Sequence, residues 1–332
     1  MDTAPSSLDV VGIGNAIVDV IAHGDDEFVA RQGMVKGTMS LIDEARAERL
    51  YELIGSATES SGGSAANTIA GVASFGGRTG FIGKVKDDLL GKVFRHDITA
   101  VGTVFPTRAA TTGPGTARCL IVVTPDAQRT MNTYLGACVN LGPSDVDAGL
   151  IQAAAVTHLE GFLYDPPRAQ EAFRVASQIA HAAGRKVSLS LSDIFCVERH
   201  RDAFLELVDH HVDVLFANEL EIFALFGASR IDVVVERLRG ATEVAVVTRS
   251  EHGSIVVSAD EVIEVNAEPV ARVVDTTGAG DLYAAGFLFG LTRGAALAEC
   301  GRLGSIAAAE VIGHVGARPS TSLRSRTGRA AT

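Results

Sequence analysis

The sequence predicts an α/β fold: a mostly parallel central sheet covered by helices, with a small β-sheet lid beside it. Three observations carry this. Short β-branched runs alternate with longer amphipathic stretches along most of the chain, the rhythm of βαβ units. The runs read as buried strands, as a sheet covered on both faces requires. Two stretches, 16–42 and 103–136, break the rhythm with short alternating segments such as "GTMSLID" and "GTARCLIVVTPDAQRTMNTY".

The expected strands are "DVVGIG" (9–14), "TGFIGKV" (79–85), "AVTHLEG" (155–161), "KVSLSLS" (186–192), "VDVLFAN" (212–218) and "EVAVVTRS" (243–250). Helical stretches lie between them at 64–76, 87–100, 167–184, 197–210, 219–226 and 231–239. Ligands of such sheets bind beyond the carboxyl ends of the strands, where Asn15, Gly161, Asn218 and Thr248 fall. "TPDAQR" reads as a hairpin turn. The expected division is a large domain (1–15, 43–102 and 137–320), a discontinuous β lid (16–42 and 103–136) and a mobile, basic tail (321–332). A plain extension of the core sheet is the alternative to a lid.

With 332 residues, the chain suits a large α/β domain carrying a subdomain. Hydrophobic residues make up 47% and charged ones 21%, a globular composition. A net charge of −11 argues against nucleic acid or an anionic membrane as partner. It leaves a small anion open, because a local cluster of amides binds phosphate on an acidic protein. Cys119, Cys138, Cys196 and Cys300 form no C-x-x-C pair, so a reducing cytoplasm is expected. "MDTAPSSLDVVGIG" lacks the basic and apolar regions of a leader, and no apolar run is long enough to span a membrane. His210 and His211 have no ligand cluster near them and read as a solvated helix end.

Several motifs fail. "VGIGNAIVD" has Ile17 where a dinucleotide fingerprint needs its third glycine. "GGRTGFIGKV" departs from a P-loop at Arg78 and Val85. G-x-S-x-G is absent.

Two motifs hold. In "SSGGSAANTIAGVASFGG" (60–77) a double glycine precedes a helix of small residues, with Ser64 and Asn67 in its first turn. Such a backbone can touch a ligand, and an amide that donates and accepts suits vicinal hydroxyls. A tight turn with a cap explains the same residues. In "DTTGAGD" (275–281) the amides of Gly278, Ala279 and Gly280 can converge on an anion at a helix start. Asp281 sits in the first turn, where the helix dipole favours its charge. An anion hole beside a carboxylate suits phosphoryl transfer, whose loose transition state deprotonates the attacking hydroxyl late. A capped helix after a glycine turn is the plainer reading of this motif alone.

Together, "GGSAAN" and "DTTGAGD" resemble the two signatures of the ribokinase/PfkB family of carbohydrate and nucleoside kinases. "NELE" (218–221) resembles its N-x-x-E motif, and "VVTRSEHGS" its T-x-G-x-x-G strand end. The resemblance runs from "VVGIGNAIVD" to "GARPS" and implies a ribokinase-like three-layer αβα sandwich. It implies an ATP-dependent kinase, with Asp281 as base and Gly278, Ala279 and Gly280 as anion hole. It implies Asn218 and Glu221 as organisers of Mg²⁺ and the ATP phosphates, partly through water, with Thr248 and Gly253 at the nucleotide. Asp275, Thr277, Gly316 and Ser320 fall where many members bind a monovalent cation, so K⁺ is a candidate. One departure stands out: Ser250 replaces the glycine of T-x-G, which bears on Arg249 and Ser250 as nucleotide contacts.

"GNAIVD", with Asn15 and Asp19 four apart, resembles the adenosine-kinase-like branch, as do "VSLSLSDIF", "HVDVLFANELE" and "LEGF". The expected substrate grip is Asn15, Asp19, Gly63, Ser64 and Asn67, with Phe162 on the base and Ile17, Leu135 and Ala137 completing an apolar slot. Leu163 stands where adenosine kinases commonly carry a second aromatic. A sugar acceptor (ribose, fructose or a keto-deoxy sugar acid) or another nucleoside therefore stays in contention. The expected state is a cytoplasmic monomer, with a dimer as alternative.

Overall fold

The structure, a computed structural model, describes residues 6–126 and 128–326. In chain order the elements are β1 (Leu8–Ile13), β2 (Ile17–His23), α1 (Asp26–Arg31), β3 (Met39–Leu41), α2 (Glu44–Leu53), β4 (Ala57–Gly62), α3 (Ser64–Ser74), β5 (Thr79–Ile82) and α4 (Leu89–Ala100). There follow β6 (Ala117–Val123), β7 (Arg129–Tyr134), α5 (Ala148–Ala153), β8 (Ala154–Glu160), α6 (Pro167–Ala182), β9 (Lys186–Ser190), α7 (Ile194–His210), β10 (Val214–Asn218) and α8 (Glu219–Phe226). The chain closes with α9 (Ile231–Leu238), β11 (Val244–Thr248), β12 (Ser254–Ser258), β13 (Val262–Val265), α10 (Ala279–Leu291) and α11 (Leu297–Val311).

An eight-stranded sheet in the order β13-β12-β11-β10-β9-β8-β1-β5 forms the middle layer. Its strands run parallel from β5 to β11, and β12 and β13 add an antiparallel edge. Side chains alternate across it. Val10, Val214 and Val246 pack against α3, α10 and α11, whereas Val11, Leu189 and Leu215 pack against α6, α7 and α8. Each fully buried Val or Leu contributes about 1.5–3 kcal/mol, so both faces need cover and three layers result. Asp193 caps α7 by accepting from Cys196 N–H at 2.6 Å, which starts that helix at Ile194 and not at 197.

The second sheet has five strands in the order β3-β7-β6-β2-β4. β6 and β7 pair antiparallel across the expected hairpin, whose Ala127 lies outside the described residues. β4 is a correction: it belongs to this sheet although 43–102 was assigned to the large domain. "ATESSG" has no apolar alternation because it is an edge strand, with only Ser61 and Gly62 buried. The start of the expected mobile tail is also corrected. Leu323 is fully buried, and its N–H donates to Ser74 Oγ at 3.0 Å at the end of α3. The rest of the tail, 327–332, lies outside the described residues. All four cysteines are buried and free. Among the described residues, no helix is long and apolar enough to cross a membrane.

Candidate active site

A cavity of about 640 Å³ opens at the carboxyl ends of β1, β8, β9, β10 and β11, below the second sheet. Parallel strands end there together, so residues distant in sequence meet. The cavity size suits a small organic ligand.

At its floor α10 begins. Gly278 caps it in the left-handed region, φ 80°, and a Cβ there would meet Ala317 Cβ at 2.8 Å. Ala279 N–H turns back to Thr276 O at 3.2 Å, so the turn offers an anion the amides of Gly278 and Gly280, not three in a row. A Cβ on Gly280 would meet nothing within 4 Å, which leaves room for a phosphoryl group. Asp281 follows. Its Oδ1 accepts from Ser64 Oγ at 2.6 Å and its Oδ2 from Asn67 Nδ2 at 3.0 Å. Burial pushes its carboxyl above the usual range, against those two donors. The helix start favours its charge, and burial opposes it. A carboxylate so held can orient a hydroxyl and take its proton.

One side of the cavity is built by α3 and β2. Gly63, at φ 95°, lets the β4–α3 turn lie on Asn15 O, where any Cβ would collide. Gly71 packs α3 onto α10 rather than the sheet: a Cβ there would meet Ala285 Cβ at 2.6 Å. That contact carries Ser64 and Asn67 to Asp281. Asp19 lines the cavity with its carboxyl pushed up to about 6, by burial first, with Arg318 and Arg129 opposing. Asn15 donates from Nδ2 to Glu160 Oε1 at 2.6 Å, leaving its Oδ1 for a ligand. Asn67, expected to grip a ligand with both ends of its amide, spends them on Asp281 and on Arg318 Nε, 3.4 Å from its Oδ1.

Phe162, Ile17 and Leu135 line the cavity, whereas Ala137 is buried behind it. Leu163 points into the core at 1% exposure. Phe195 at the start of α7, 65% exposed, also lines the cavity, as do Met39 and Leu41 of β3. Sequence reasoning missed Phe195, although it stands within the quoted "SLSDIF". It also missed Glu160, whose carboxyl is pushed up to about 7 by burial against the donors Ala65 N–H and Asn15. An acid ending the apolar run "AVTHLEG" was the available sign.

At the carboxyl end of β10, Asn218 and Glu221 form a reciprocal cap of α8. Asn218 Oδ1 accepts from Glu221 N–H at 2.9 Å, and Glu221 accepts from Asn218 N–H at 2.9 Å and Nδ2 at 2.6 Å. Burial pushes the Glu221 carboxyl up to about 7. Both residues and Thr248 line the cavity.

Comparison with known proteins agrees with this geometry. The family profile described as pfkB family carbohydrate kinase matches residues 37–324. The chain belongs to the PfkB family. It is an ATP-dependent phosphotransferase acting on a hydroxyl group, with the ribokinase-like fold. The structure of adenosine kinase from Sinorhizobium meliloti is 52% identical at TM-score 0.91, covering 98% of this chain and 100% of that one. That of a probable sugar kinase from Rhizobium etli CFN 42 is 47% identical at TM-score 0.91, covering 97% and 98%. A nucleoside kinase from Methanothermobacter thermautotrophicus is 29% identical over 76% of this chain and 78% of its own.

The structure places the remaining residues that the family pattern singled out as follows. The monovalent-cation ligands do not form an oxygen cage. Asp275 Oδ2 accepts from Arg129 Nη1 of β7 and from Gly316 N–H at 2.9 Å, and Arg129 also donates to Thr277 Oγ1 at 2.8 Å. Ser320 Oγ instead donates to Glu310 Oε1 at 2.9 Å. A guanidinium therefore sits at the place expected for K⁺. Gly253 does not line the cavity; it serves the β11–β12 turn at φ 77°, against Val265 O. Ser250 keeps a glycine-like backbone, φ 52°, and its carbonyl accepts from Gly253 N–H at 3.1 Å, so the turn survives the departure.

Proposed function

We propose that the protein transfers the γ-phosphoryl group of ATP to the 5′-hydroxyl of adenosine, giving AMP and ADP. The observation that carries the acceptor is the apolar slot beside Asp19, walled by Phe162, Phe195, Met39, Leu41, Ile17 and Leu135. A free sugar would leave these walls wet; a purine would cover them. Asp19, an acceptor-only carboxylate, takes the ribose hydroxyls. Asp281 orients the 5′-hydroxyl and receives its proton as the new O–P bond forms and the bridge to ADP breaks. The amides of Gly278 and Gly280 meet the charge of the transferred group.

The donor set of Asn218 and Glu221 is hard oxygen in the cavity wall, which fits a cation held mostly by water and phosphates. These residues would hold Mg²⁺, which when bound neutralises phosphate charge. The relatives named adenosine kinase and nucleoside kinase support this reading. The relative named probable sugar kinase keeps a sugar as the second. The test is ADP release from Mg-ATP with adenosine, inosine, ribose and fructose. Turnover with adenosine well above the others is expected; turnover only with a sugar would overturn the acceptor and keep the kinase.

A further inference from the structure

Behind the acceptor half stands a residue that neither reaction partner requires by chemistry alone. Arg318 follows directly on Gly316 and Ala317. Gly316 N–H donates to Asp275, and Ala317 packs against Gly278. One short loop thus backs the anion hole and delivers a guanidinium to the acceptor side. We infer that Arg318 is the positioning residue of that side: it fixes the direction of the Asn67 amide, and through it Asp281, while its charge favours the Asp19 carboxylate from beyond ion-pair distance. The inference rests on reading Asp281 as the base.

The first link is geometric. Arg318 Nε donates to Asn67 Oδ1 at 3.4 Å, and Asn67 Nδ2 donates to Asp281 Oδ2 at 3.0 Å. Turned through half a rotation, the amide would set its oxygen against the Asp281 carboxylate and its NH2 against the guanidinium. Both contacts would repel. The guanidinium, which can only donate, therefore decides which end of Asn67 meets Asp281. With Ser64 on Oδ1, both carboxylate oxygens are held.

The second link is electrostatic. Of the charges around Asp19, Arg318 most favours the carboxylate, ahead of Arg129 and against Asp281 and Asp275. The dependence is mutual, since Asp19 also heads the charges that keep Arg318 cationic, followed by Asp97. The third observation is a cost. Arg318 Nη2 is buried without a hydrogen-bond partner among the described residues. A methionine would fill that volume and leave no buried donor unpaired. The charge, rather than the volume, is what the position supplies.

The test uses the full chain with Arg318→Met, Arg318→Lys, Asn67→Ala and the Arg318→Met/Asn67→Ala double variant. The thermal midpoint and the kcat and KM for adenosine and Mg-ATP would be measured for each. Losing one charged hydrogen bond and the charge that favours the Asp19 carboxylate should raise the adenosine KM about tenfold and lower kcat about tenfold in Arg318→Met. The Mg-ATP KM should stay unchanged. Arg318→Lys should fall between, because it keeps the charge and loses the planar donor. Added guanidinium should restore part of the Arg318→Met turnover. In the double variant, kcat should match Asn67→Ala alone, because Arg318 acts on Asp281 through Asn67.

A folded Arg318→Met with wild-type kcat and KM would overturn the inference. So would effects of the two substitutions on kcat that simply multiply. If Arg318→Met does not fold, Arg318→Lys decides by the same split between adenosine and Mg-ATP. Failure of the underlying reading looks different: Asp281→Asn would keep turnover whatever Arg318 does. If the wild type prefers a sugar, the same variants are scored on that sugar.

Discussion

Ser64 Oγ donates to Asp281 Oδ1 at 2.6 Å, joining two glycine-rich segments 217 residues apart. Thr68 Oγ1 adds a bond to Asp281 O at 3.1 Å, so α3 grips both the side chain and the backbone of the proposed base. Asp281→Asn should lower kcat by roughly 10²–10⁴, the usual scale of general-base loss. ATP affinity, measured by calorimetry, should not change. Ser64→Ala should cost kcat about tenfold, one hydrogen bond to a charged group. Near-wild-type turnover in Asp281→Asn would remove it from the role.

The same junction depends on Gly71. Its missing Cβ lets α3 reach α10, with Leu282 Cδ1 at 2.7 Å from where that Cβ would stand. Gly71→Val should therefore destabilise the fold by about 1–3 kcal/mol through overpacking. It should also lower kcat, because moving α3 withdraws Ser64 and Asn67 from Asp281. Urea unfolding and steady-state rates on one preparation test both. Unchanged stability would mean that the helices are not in close contact.

Asp19 gives the site a pH dependence. Its carboxyl is pushed up to about 6, chiefly by burial and by the charges of Asp281 and Asp275, with Arg318 and Arg129 opposing. Only the ionised form accepts from two ribose hydroxyls. kcat/KM for adenosine should therefore fall as pH drops through about 6, since that ratio reports the free enzyme. The stability effect has the opposite sign. A carboxyl with a raised folded pKa leaves the fold most stable below its ordinary value, and that contribution is lost as pH rises through about 6. Asp19→Asn should flatten this part of the kcat/KM profile; an unchanged profile would assign the titration elsewhere.

How much of this was legible in the sequence follows from where each residue lies. Gly63 and Asn67, like Gly278 and Asp281, announce themselves because glycines beside a helix start are local features. The strand-end residues Asn15, Asn218 and Thr248 followed from parallel topology. Phe195, Glu160, Arg129 and Arg318 did not, because only the tertiary fold brings the first two to the cavity wall and the two arginines to Asp275 and Asn67. β4 stayed hidden because an edge strand open to water needs no apolar alternation. The partner of Asp275 and Thr277 was hidden for a related reason: both adjoin the glycine turn in sequence, but the guanidinium that meets them comes from β7.

That group makes a prediction. Arg129 and Asp275 have side chains 13% and 4% exposed, so Arg129→Met leaves a buried carboxylate without its cation. It should destabilise the protein by about 3–5 kcal/mol at neutral pH. Burial would raise the Asp275 carboxyl, but the N–H of Gly316, the hydroxyl and N–H of Thr277 and Arg129 together hold it below the usual range. Its stabilising contribution is present above the ordinary aspartate value and is lost as pH falls through the depressed one, so wild type and variant should converge in acid. With a guanidinium in place, exchanging K⁺ for Na⁺ should leave wild-type turnover unchanged. Marked activation by K⁺ would show that Arg129 yields the place during turnover.

Ser250 supplies the last prediction. It holds φ 52°, a left-handed backbone that costs an ordinary side chain about 1–2 kcal/mol and glycine nothing. Restoring glycine also restores unfolded-chain freedom, which offsets part of the gain. Ser250→Gly should therefore stabilise the protein by at most about 1 kcal/mol, read as a rise in the urea midpoint at constant slope. The ATP KM should not move, because the turn is already closed by Gly253 N–H on Ser250 O and by Arg249 N–H on Gly253 O at 2.7 Å. A changed ATP KM with unchanged stability would mean that the serine hydroxyl itself meets the nucleotide, and that this departure from the family pattern is a contact, not a tolerated strain.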